Sequence, residues 1–291
     1  MSRAGNSVGA LCLVAFAASA LWAEPLIRDG QKLAFMGDSI TQFGAGQPSG
    51  YVRLVVSGLE ANGIKVAPVF AGISGHKSND MLARLDRDAL SKKPDFMTLS
   101  CGVNDVWHGE RGVPLEQYKR NIAEICDKSQ AAGVKVVVLT ATMIGEDQPN
   151  ANNQKLVAYN DFLRTLAKER KLPLADLNAE MQAAVAKAKA ANAPKPNRAN
   201  YLTSDGVHMA PPGDQLMAEG VLRALGLDAA QLAKANAAWL AIPKAVSLKP
   251  SAAVSLADYS RLMEAAAKQG LSCDEYVGAL LSKALEGASG R

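Results

Sequence analysis

The hydrophobic pattern of the chain alternates between two kinds of segment. Short apolar runs rich in β-branched residues are followed by longer segments in which apolar residues recur with the period of a helix. This alternation predicts a mainly parallel sheet covered by helices. The predicted strands are Lys32–Met36, Val66–Phe70, Asp95–Ser100, Val134–Thr140 and Leu172–Asp176. The predicted helices are Tyr51–Asn62, Asn79–Ser91, Leu115–Ala132 and Asn153–Lys171.

These elements predict a doubly wound, flavodoxin-like three-layer α/β sandwich with five strands in its sheet. We assign this domain to residues 24–227, because the strand pattern ends near Leu225 and the chain then becomes alanine-rich and helical. Residues 228–291 are expected to form a helical C-terminal extension. It contains two amphipathic segments that begin near Ser255 and Ser272, each a residue type that caps helices.

The first 23 residues have the composition of a targeting segment. Arg3 precedes an uncharged stretch that runs from Val8 to Ala23, which is shorter than the roughly 20 apolar residues needed to span a bilayer. Small residues near its end provide a cleavage site, so residues 1–23 are predicted to be a secretory signal peptide. The alternative is an uncleaved membrane anchor. We expect a secreted or periplasmic protein without stable membrane insertion after removal of the signal.

Composition and charge narrow the possible partners. The chain has 32 Lys and Arg against 28 Asp and Glu, without any run of like charges, so no nucleic-acid partner is expected. Its four cysteines include no C-x-x-C pair, and one of them, Cys12, lies in the predicted signal peptide. The cysteine pattern therefore indicates neither a disulfide framework nor a zinc knuckle.

Polar motifs follow several of the predicted strands, where ligands bind in sheets of this kind. The first is Gly37-Asp38-Ser39-Ile40-Thr41, in which glycine allows a sharp turn and Ser39 carries a hydroxyl at the edge of the sheet. A serine needs a base to become a nucleophile. Among the three histidines, His208 is favoured because Asp205, three residues earlier, can orient its ring. The alternative for this Asp-x-x-His motif is a helix cap beside a solvent-facing histidine.

Acyl transfer also needs hydrogen-bond donors for the negative charge that develops on the carbonyl oxygen. Three candidates lie at strand ends: the backbone N–H of Ser39, the backbone N–H of Gly75 and the side-chain amide of Asn104. Gly75 could instead be a helix-entry glycine, and Asn104 a turn residue.

Together these motifs resemble those of the SGNH (GDSL-type) hydrolase family, over roughly Leu33 to Leu225. The resemblance implies that Ser39 is the nucleophile, that Asp205 and His208 complete its triad, and that Ser39, Gly75 and Asn104 form the oxyanion hole. It implies an esterase that needs no cofactor. One position departs from the family pattern: members often have asparagine five residues before the oxyanion glycine, where this chain has Phe70.

Other polar residues lie near these motifs. His76, Trp107 and His108 are candidate substrate contacts, with ordinary packing at the rim of the cleft as the alternative. The histidines form no metal-ligand motif, so no metal is expected. Asp38 and Asp105 could be the paired carboxylates of a glycosidase. We favour the interpretation that they bond to loop amides and hold the turns in shape.

The expected substrate is an ester, most simply the acetyl ester of a polysaccharide or oligosaccharide. No insertion rich in Leu, Phe and Met separates the motifs, so an acyl tunnel is not indicated. The alternatives are a lysophospholipase or thioesterase, and a non-catalytic module that binds glycan or lipid. The two C-terminal amphipathic segments are expected to pack on the body of the protein or to dock a second copy in a homo-oligomer.

Overall fold

The computed structural model describes residues 24–193, 195, 199–243 and 254–289. The predicted signal peptide, residues 1–23, lies outside the described residues. Those residues fall into two compact units, one up to residue 243 and one from residue 254. Each unit is described separately below.

The first unit is built on a sheet of five parallel strands, in the order β2-β1-β3-β4-β5. This confirms the predicted doubly wound sheet. The chain runs from β1 outward to β2 and then returns to the other side of β1, so the strand order reverses between β1 and β3. The strands are β1 (Lys32–Gly37), β2 (Ala67–Gly72), β3 (Phe96–Ser100), β4 (Lys135–Leu139) and β5 (Leu174–Ala175).

Helices cover both faces of this sheet. Within the first unit, α2 packs against α8 and α9, whereas α3 packs against α5, and α5 against α6. The central strand β3 is completely buried, as expected of a strand covered on both faces. The helices are α1 (Ser39–Gly46), α2 (Tyr51–Ala61), α3 (Ser78–Asp88), α4 (Val103–Trp107), α5 (Leu115–Ala131), α6 (Ala151–Glu169), α7 (Leu177–Ala190), α8 (Pro211–Ala224) and α9 (Ala229–Leu240).

The structure differs from the sequence prediction in a few elements. The fifth strand has two residues instead of five, because it pairs only with Val138 and Leu139 of β4 and has no neighbour on its other side. Helices α1, α4 and α7 were not predicted. The first two have 8 and 5 residues, too few to show a helical period, and α7 is alanine-rich with only three buried positions.

The first unit continues beyond Leu227 into α9. Trp239 of this helix is 3% exposed, and its indole Nε1–H donates to the main-chain oxygen of Leu54 in α2 at 2.9 Å. Asn62 at the end of α2 donates in turn to the main-chain oxygen of Gln231 in α9. Helix α9 therefore contributes to the core of the unit that contains the sheet.

The second unit is a pair of helices, α10 (Leu256–Ala267) and α11 (Cys273–Ser289). Ser255 caps α10 by accepting a hydrogen bond from the backbone N–H of Asp258, and Gly270 in the connection has a φ of 68°. Apolar side chains on both helices remain about half exposed, at Tyr259, Met263, Leu280 and Leu285. Throughout the described residues, no helix is both long and apolar enough to cross a membrane.

Trp239→Ala should lower the free energy of unfolding by about 3–5 kcal/mol, because it removes a buried ring and leaves the Leu54 carbonyl without its donor. Leu240→Ala is a matched control on the same helix, since Leu240 is 82% exposed. Its effect should stay within about 0.5 kcal/mol. Urea unfolding followed by circular dichroism measures both, and equal effects would contradict the packing of α9 described here.

Candidate active site

Ser39 is the first residue of α1, directly after β1 and the Gly37-Asp38 turn. Asp38 caps the helix, since its Oδ1 accepts from the backbone N–H of Ile40 at 2.9 Å. Position 37 requires glycine, because the side chain of Thr41 lies so close that a Cβ there would overlap it. The turn thus holds Ser39 at the carboxyl end of the sheet, with its N–H among the helix N-terminal donors that lack an intrahelical acceptor.

The structure brings Ser39, His208 and Asp205 together. The Oγ of Ser39 lies 2.9 Å from Nε2 of His208, although 169 positions separate the two residues in the chain. On the other side of the ring, Nδ1 lies 2.6 Å from Oδ2 of Asp205. Asp205 also accepts from the backbone N–H groups of Val207 and His208, at 3.0 and 2.8 Å. The carboxylate therefore fixes both the loop and the orientation of the ring.

The carboxylates around Ser39 are in contrasting environments. Burial pushes the pKa of Asp205 upward, but hydrogen bonds from the His208 ring and from backbone N–H groups outweigh it, so the pKa lies below its usual value. Burial raises the pKa of Asp38 to about 6 and also raises that of Asp105. Asp105 accepts from the backbone N–H of Ser78 at 3.0 Å. Asp38 and Asp105 thus each accept a hydrogen bond from a backbone N–H at the start of a helix, α1 and α3 respectively.

The three predicted oxyanion donors lie around the same turn. Gly75 has a φ of 77°, and nothing lies within 4 Å of the place where a Cβ would stand. The amide Nδ2 of Asn104 lies 3.4 Å from Oδ2 of Asp38, the neighbour of Ser39, and 3.1 Å from the main-chain oxygen of His76. Asn104 therefore connects the ends of β1 and β3 to the segment that follows β2.

The three candidate substrate contacts lie next to these donors. His108 directly follows α4, and its ring bonds through Nε2 to Oδ1 of Asn104 at 3.2 Å. Trp107 is 45% exposed and lies edge-on to His108, with ring centroids 6.3 Å apart. Both residues line a pocket of about 260 Å³ together with Arg111. His76 is half-buried and bonds through Nδ1 to Arg84.

Sequence analysis missed Glu146, which lies after β4. Its Oε1 accepts from the backbone N–H groups of Leu202 and Thr203 and from the Thr203 hydroxyl, at 2.7–2.8 Å, and its Oε2 accepts from the N–H of Tyr201 at 2.6 Å. These donors immediately precede Asp205. Glu146 therefore anchors the segment that carries Asp205 and His208, and its place in the connection that follows β4 was the signal that could have found it.

A cavity of about 200 Å³ adjoins His208 on the side of α1 and α8. Asp214 at the start of α8 forms part of its wall, and burial raises the pKa of this carboxyl to about 7, although it accepts from the backbone N–H of Tyr51. The lining residues are Ile40, Phe43, Gly44, Gln47, Ser204, Asp205, His208, Met209 and Asp214. A larger cavity of about 810 Å³ between α3 and α5 includes none of the candidate site residues.

In the described part of the chain, no three His, Cys, Asp or Glu side chains are grouped so that they could hold a metal ion. A serine hydroxyl bonded to an aspartate-supported histidine, at the edge of a doubly wound sheet, is the arrangement of serine hydrolases.

Comparison with known proteins identifies the family. The model of the GDSL-like lipase/acylhydrolase family matches residues 35–216, and the chain belongs to this family. An acetylxylan esterase of Geobacillus stearothermophilus is 28% identical over 223 residues, which cover 69% of this chain and 97% of that enzyme. Esterase TesA of Pseudomonas aeruginosa is 31% identical, over 50% of this chain and 69% of its own length. The protein is thus a hydrolase of ester bonds.

Solved structures of two relatives have the same fold. The acetyl xylan esterase AlAXEase is 32% identical and superposes with a TM-score of 0.60, covering 66% of this chain and 98% of its own. Axe2, an acetylxylan esterase from Geobacillus stearothermophilus, is 26% identical with a TM-score of 0.61, covering 69% of this chain and 97% of its own. The similarity covers nearly the whole of each relative and leaves about a third of this chain unmatched.

Glu146→Ala should lower kcat by up to about 100-fold, because the segment before Asp205 loses the acceptor that fixes its position. It should also lower the free energy of unfolding by about 2 kcal/mol, the scale of hydrogen bonds to a charged group. Asp147→Ala is the matched control, since Asp147 is the exposed neighbour of Glu146. Ester hydrolysis and urea unfolding measure the two effects. An unchanged kcat in Glu146→Ala would contradict the role of Glu146 in positioning Asp205 and His208.

Proposed function

We propose that this protein hydrolyses acetyl esters of carbohydrates through an acyl-enzyme formed on Ser39. The observation that carries the proposal is the continuous hydrogen-bonded series from Ser39 through His208 to Asp205, with distances of 2.9 and 2.6 Å. The names of two relatives, both acetylxylan esterases, support the choice of substrate class.

In the proposed mechanism, Nε2 of His208 takes the proton of the Ser39 hydroxyl as Oγ attacks the acyl carbon. Asp205 accepts from Nδ1–H, which selects the required tautomer and stabilises the imidazolium that forms. His208 then returns the proton to the departing alcohol. Water enters, gives a proton to His208 and attacks the acyl-enzyme, which releases acetate and restores the Ser39 hydroxyl.

The tetrahedral intermediates carry a negative charge on the former carbonyl oxygen. We assign its stabilisation to the backbone N–H groups of Ser39 and Gly75 and to the amide of Asn104. Two features support this assignment: the open space beside Gly75 and the bond from His108 to Oδ1 of Asn104. That bond fixes the plane of the amide. Nδ2 uses one hydrogen for the main-chain oxygen of His76 at 3.1 Å, and its longer contact with Oδ2 of Asp38, at 3.4 Å, is the one that the charged oxygen would replace.

The dimensions and polarity of the site support a short acyl group. The cavity beside His208 has about 200 Å³, and the carboxyl of Asp205, whose side chain is 52% exposed, forms part of its wall. Covering a carboxyl with a long hydrocarbon chain would remove it from water without providing a hydrogen bond, which is unfavourable. An acetyl group needs no such contact.

Two further proposals concern the whole protein. Export to the periplasm or the outside of the cell is supported by the pattern of residues 1–23 and by the need to meet a polysaccharide substrate. Assembly into a homo-oligomer is supported by the half-exposed apolar side chains of the second unit, at Tyr259, Met263, Leu280 and Leu285.

Ser39→Ala and His208→Ala should each lower kcat by about 10³-fold or more, because nucleophile and base act as one unit. The double variant should be scarcely worse than either single variant. Ser91→Ala, at an exposed serine whose hydroxyl bonds only to the main chain, is the control. Multiplying losses in the double variant would contradict the pairing of Ser39 with His208, and full activity of Ser39→Ala would exclude the acyl-enzyme.

The preferred acyl length distinguishes the candidate substrates. A fitted apolar channel gains about 0.8 kcal/mol, or roughly fourfold in kcat/KM, for each methylene that it buries. We expect no such gain, so kcat/KM on p-nitrophenyl esters should be highest for acetate and fall through butyrate to octanoate. Acetylated xylan should also release acetate. A maximum at octanoate with cleavage of lysophosphatidylcholine or acyl-thioesters would overturn the acetylesterase proposal, and binding of glycan or lipid without any turnover would indicate a non-catalytic module.

A further inference from the structure

A buried arginine contacts the carboxyl ends of β1 and β2, next to the candidate oxyanion donors. Arg84 of α3 has a side chain only 4% exposed. Its Nη2 donates to the main-chain oxygen of Gly37 at the end of β1, and its Nη1 to that of Ala71 in β2, both at 2.8 Å. Asp88, one turn later on the same helix, pairs with Nη1 at 3.1 Å. The guanidinium therefore joins the carboxyl ends of the two strands that precede Ser39 and Gly75.

The Nε–H of Arg84 determines which nitrogen of His76 carries a proton. It donates to Nδ1 of His76 at 3.0 Å. A guanidinium has only donors, so Nδ1 must be an unprotonated acceptor, and a neutral ring then carries its proton on Nε2. Protonation of Nδ1 would break this bond and place a second cation beside Arg84.

The surroundings of the ring lower the pKa of His76 overall. Burial lowers the pKa of His76, and the positive charges of Arg84 and Lys77 lower it further. Asp80 and Asp88 oppose this effect without reversing it. His76 is thus neutral at neutral pH and has one hydrogen-bond donor left to offer.

The position of His76 indicates what this donor can reach. The residue directly follows Gly75, and its main-chain oxygen accepts from Nδ2 of Asn104. Its ring is half-buried, and within the described residues Nε2 has no hydrogen-bond partner. His76 therefore carries an unused N–H on a residue whose backbone adjoins both Gly75 and Asn104, two of the donors assigned to the ester carbonyl.

We propose that Arg84 is a positioning residue that holds His76 in its Nε2–H tautomer, and that this N–H donates to a substrate oxygen next to the scissile ester. The substrate class is a sugar ester, whose neighbouring hydroxyl or ether oxygen accepts the bond. This inference rests on the proposed function and specifies how its site selects a sugar. A simple aryl acetate has no such oxygen and gains nothing from the contact.

The first test does not depend on catalysis. Nitrogen-15 NMR of the imidazole rings of the full chain, which has three histidines, reports the tautomer and the pKa of each. The spectrum of His76→Gln identifies the His76 signals by their loss. We expect the Nε2–H tautomer in the unsubstituted protein, and in Arg84→Met a higher pKa of His76. Arg87→Met is the matched control, because Arg87 also pairs with Asp88 but is 74% exposed.

The second test compares acetylated xylose with p-nitrophenyl acetate. His76→Ala and Arg84→Met should each lower the ratio of the two kcat/KM values by about tenfold, the value of one neutral hydrogen bond. The double variant should lose no more than His76→Ala, because Arg84 acts through His76. His76→Gln should recover part of the ratio, since its amide provides a donor near the position of Nε2. Arg84→Lys serves as a milder variant if Arg84→Met does not fold.

The outcomes separate this inference from the proposed function. A proton on Nδ1 of His76 at neutral pH would overturn the inference whether or not the protein hydrolyses esters. So would an unchanged His76 pKa in Arg84→Met, or equal losses on both substrates in His76→Ala. Absence of turnover in the unsubstituted protein would overturn the proposed function instead, while the NMR result would still establish or refute the role of Arg84.

Discussion

The common direction of the five strands is the constraint on which the rest of the structure depends. In a parallel sheet every connection must return to the starting edge, so all carboxyl ends lie together and the segments that follow them meet. Ser39 follows β1, Gly75 follows β2, and Asn104 follows β3. His208, which comes 169 positions after Ser39, joins them from the segment before α8. Chemistry that is dispersed along the chain is thereby concentrated at one edge.

Buried or half-buried polar side chains then fix the segments at that edge. Asp38 and Asp105 bond to main-chain N–H groups at the starts of helices, Arg84 to main-chain oxygens at strand ends, and Glu146 to main-chain N–H groups of a loop. A charge removed from water costs several kcal/mol unless it is hydrogen-bonded, so displacing any of these loops would leave a buried ion without its partners. The proposed oxyanion donors and the proposed base are consequently held in position before a substrate binds, as stabilisation of a transition-state charge requires.

Much of the fold could be predicted because its signals are local. The apolar runs of β1 to β4 are long enough to recognise, and most of the long helices show a clear period. Helices α1 and α4 could not be recognised, because they are short and begin within the polar motifs. The extent of β5 depends on its neighbour β4, and the packing of α9 depends on contacts such as that of Trp239 with Leu54, which no local pattern encodes.

The sequence by itself determined the fold class, the family resemblance and the residue types that suit acyl transfer. These features depend on local sequence, because each strand, helix or motif is a short continuous stretch of chain. Only the tertiary structure decided which groups are partners. It brought three pairs within hydrogen-bond distance: His208 with Ser39, Glu146 with the segment before Asp205, and Arg84 with His76. A hydrogen bond between residues far apart in the chain depends on a distance of about 3 Å that exists only after the elements have packed.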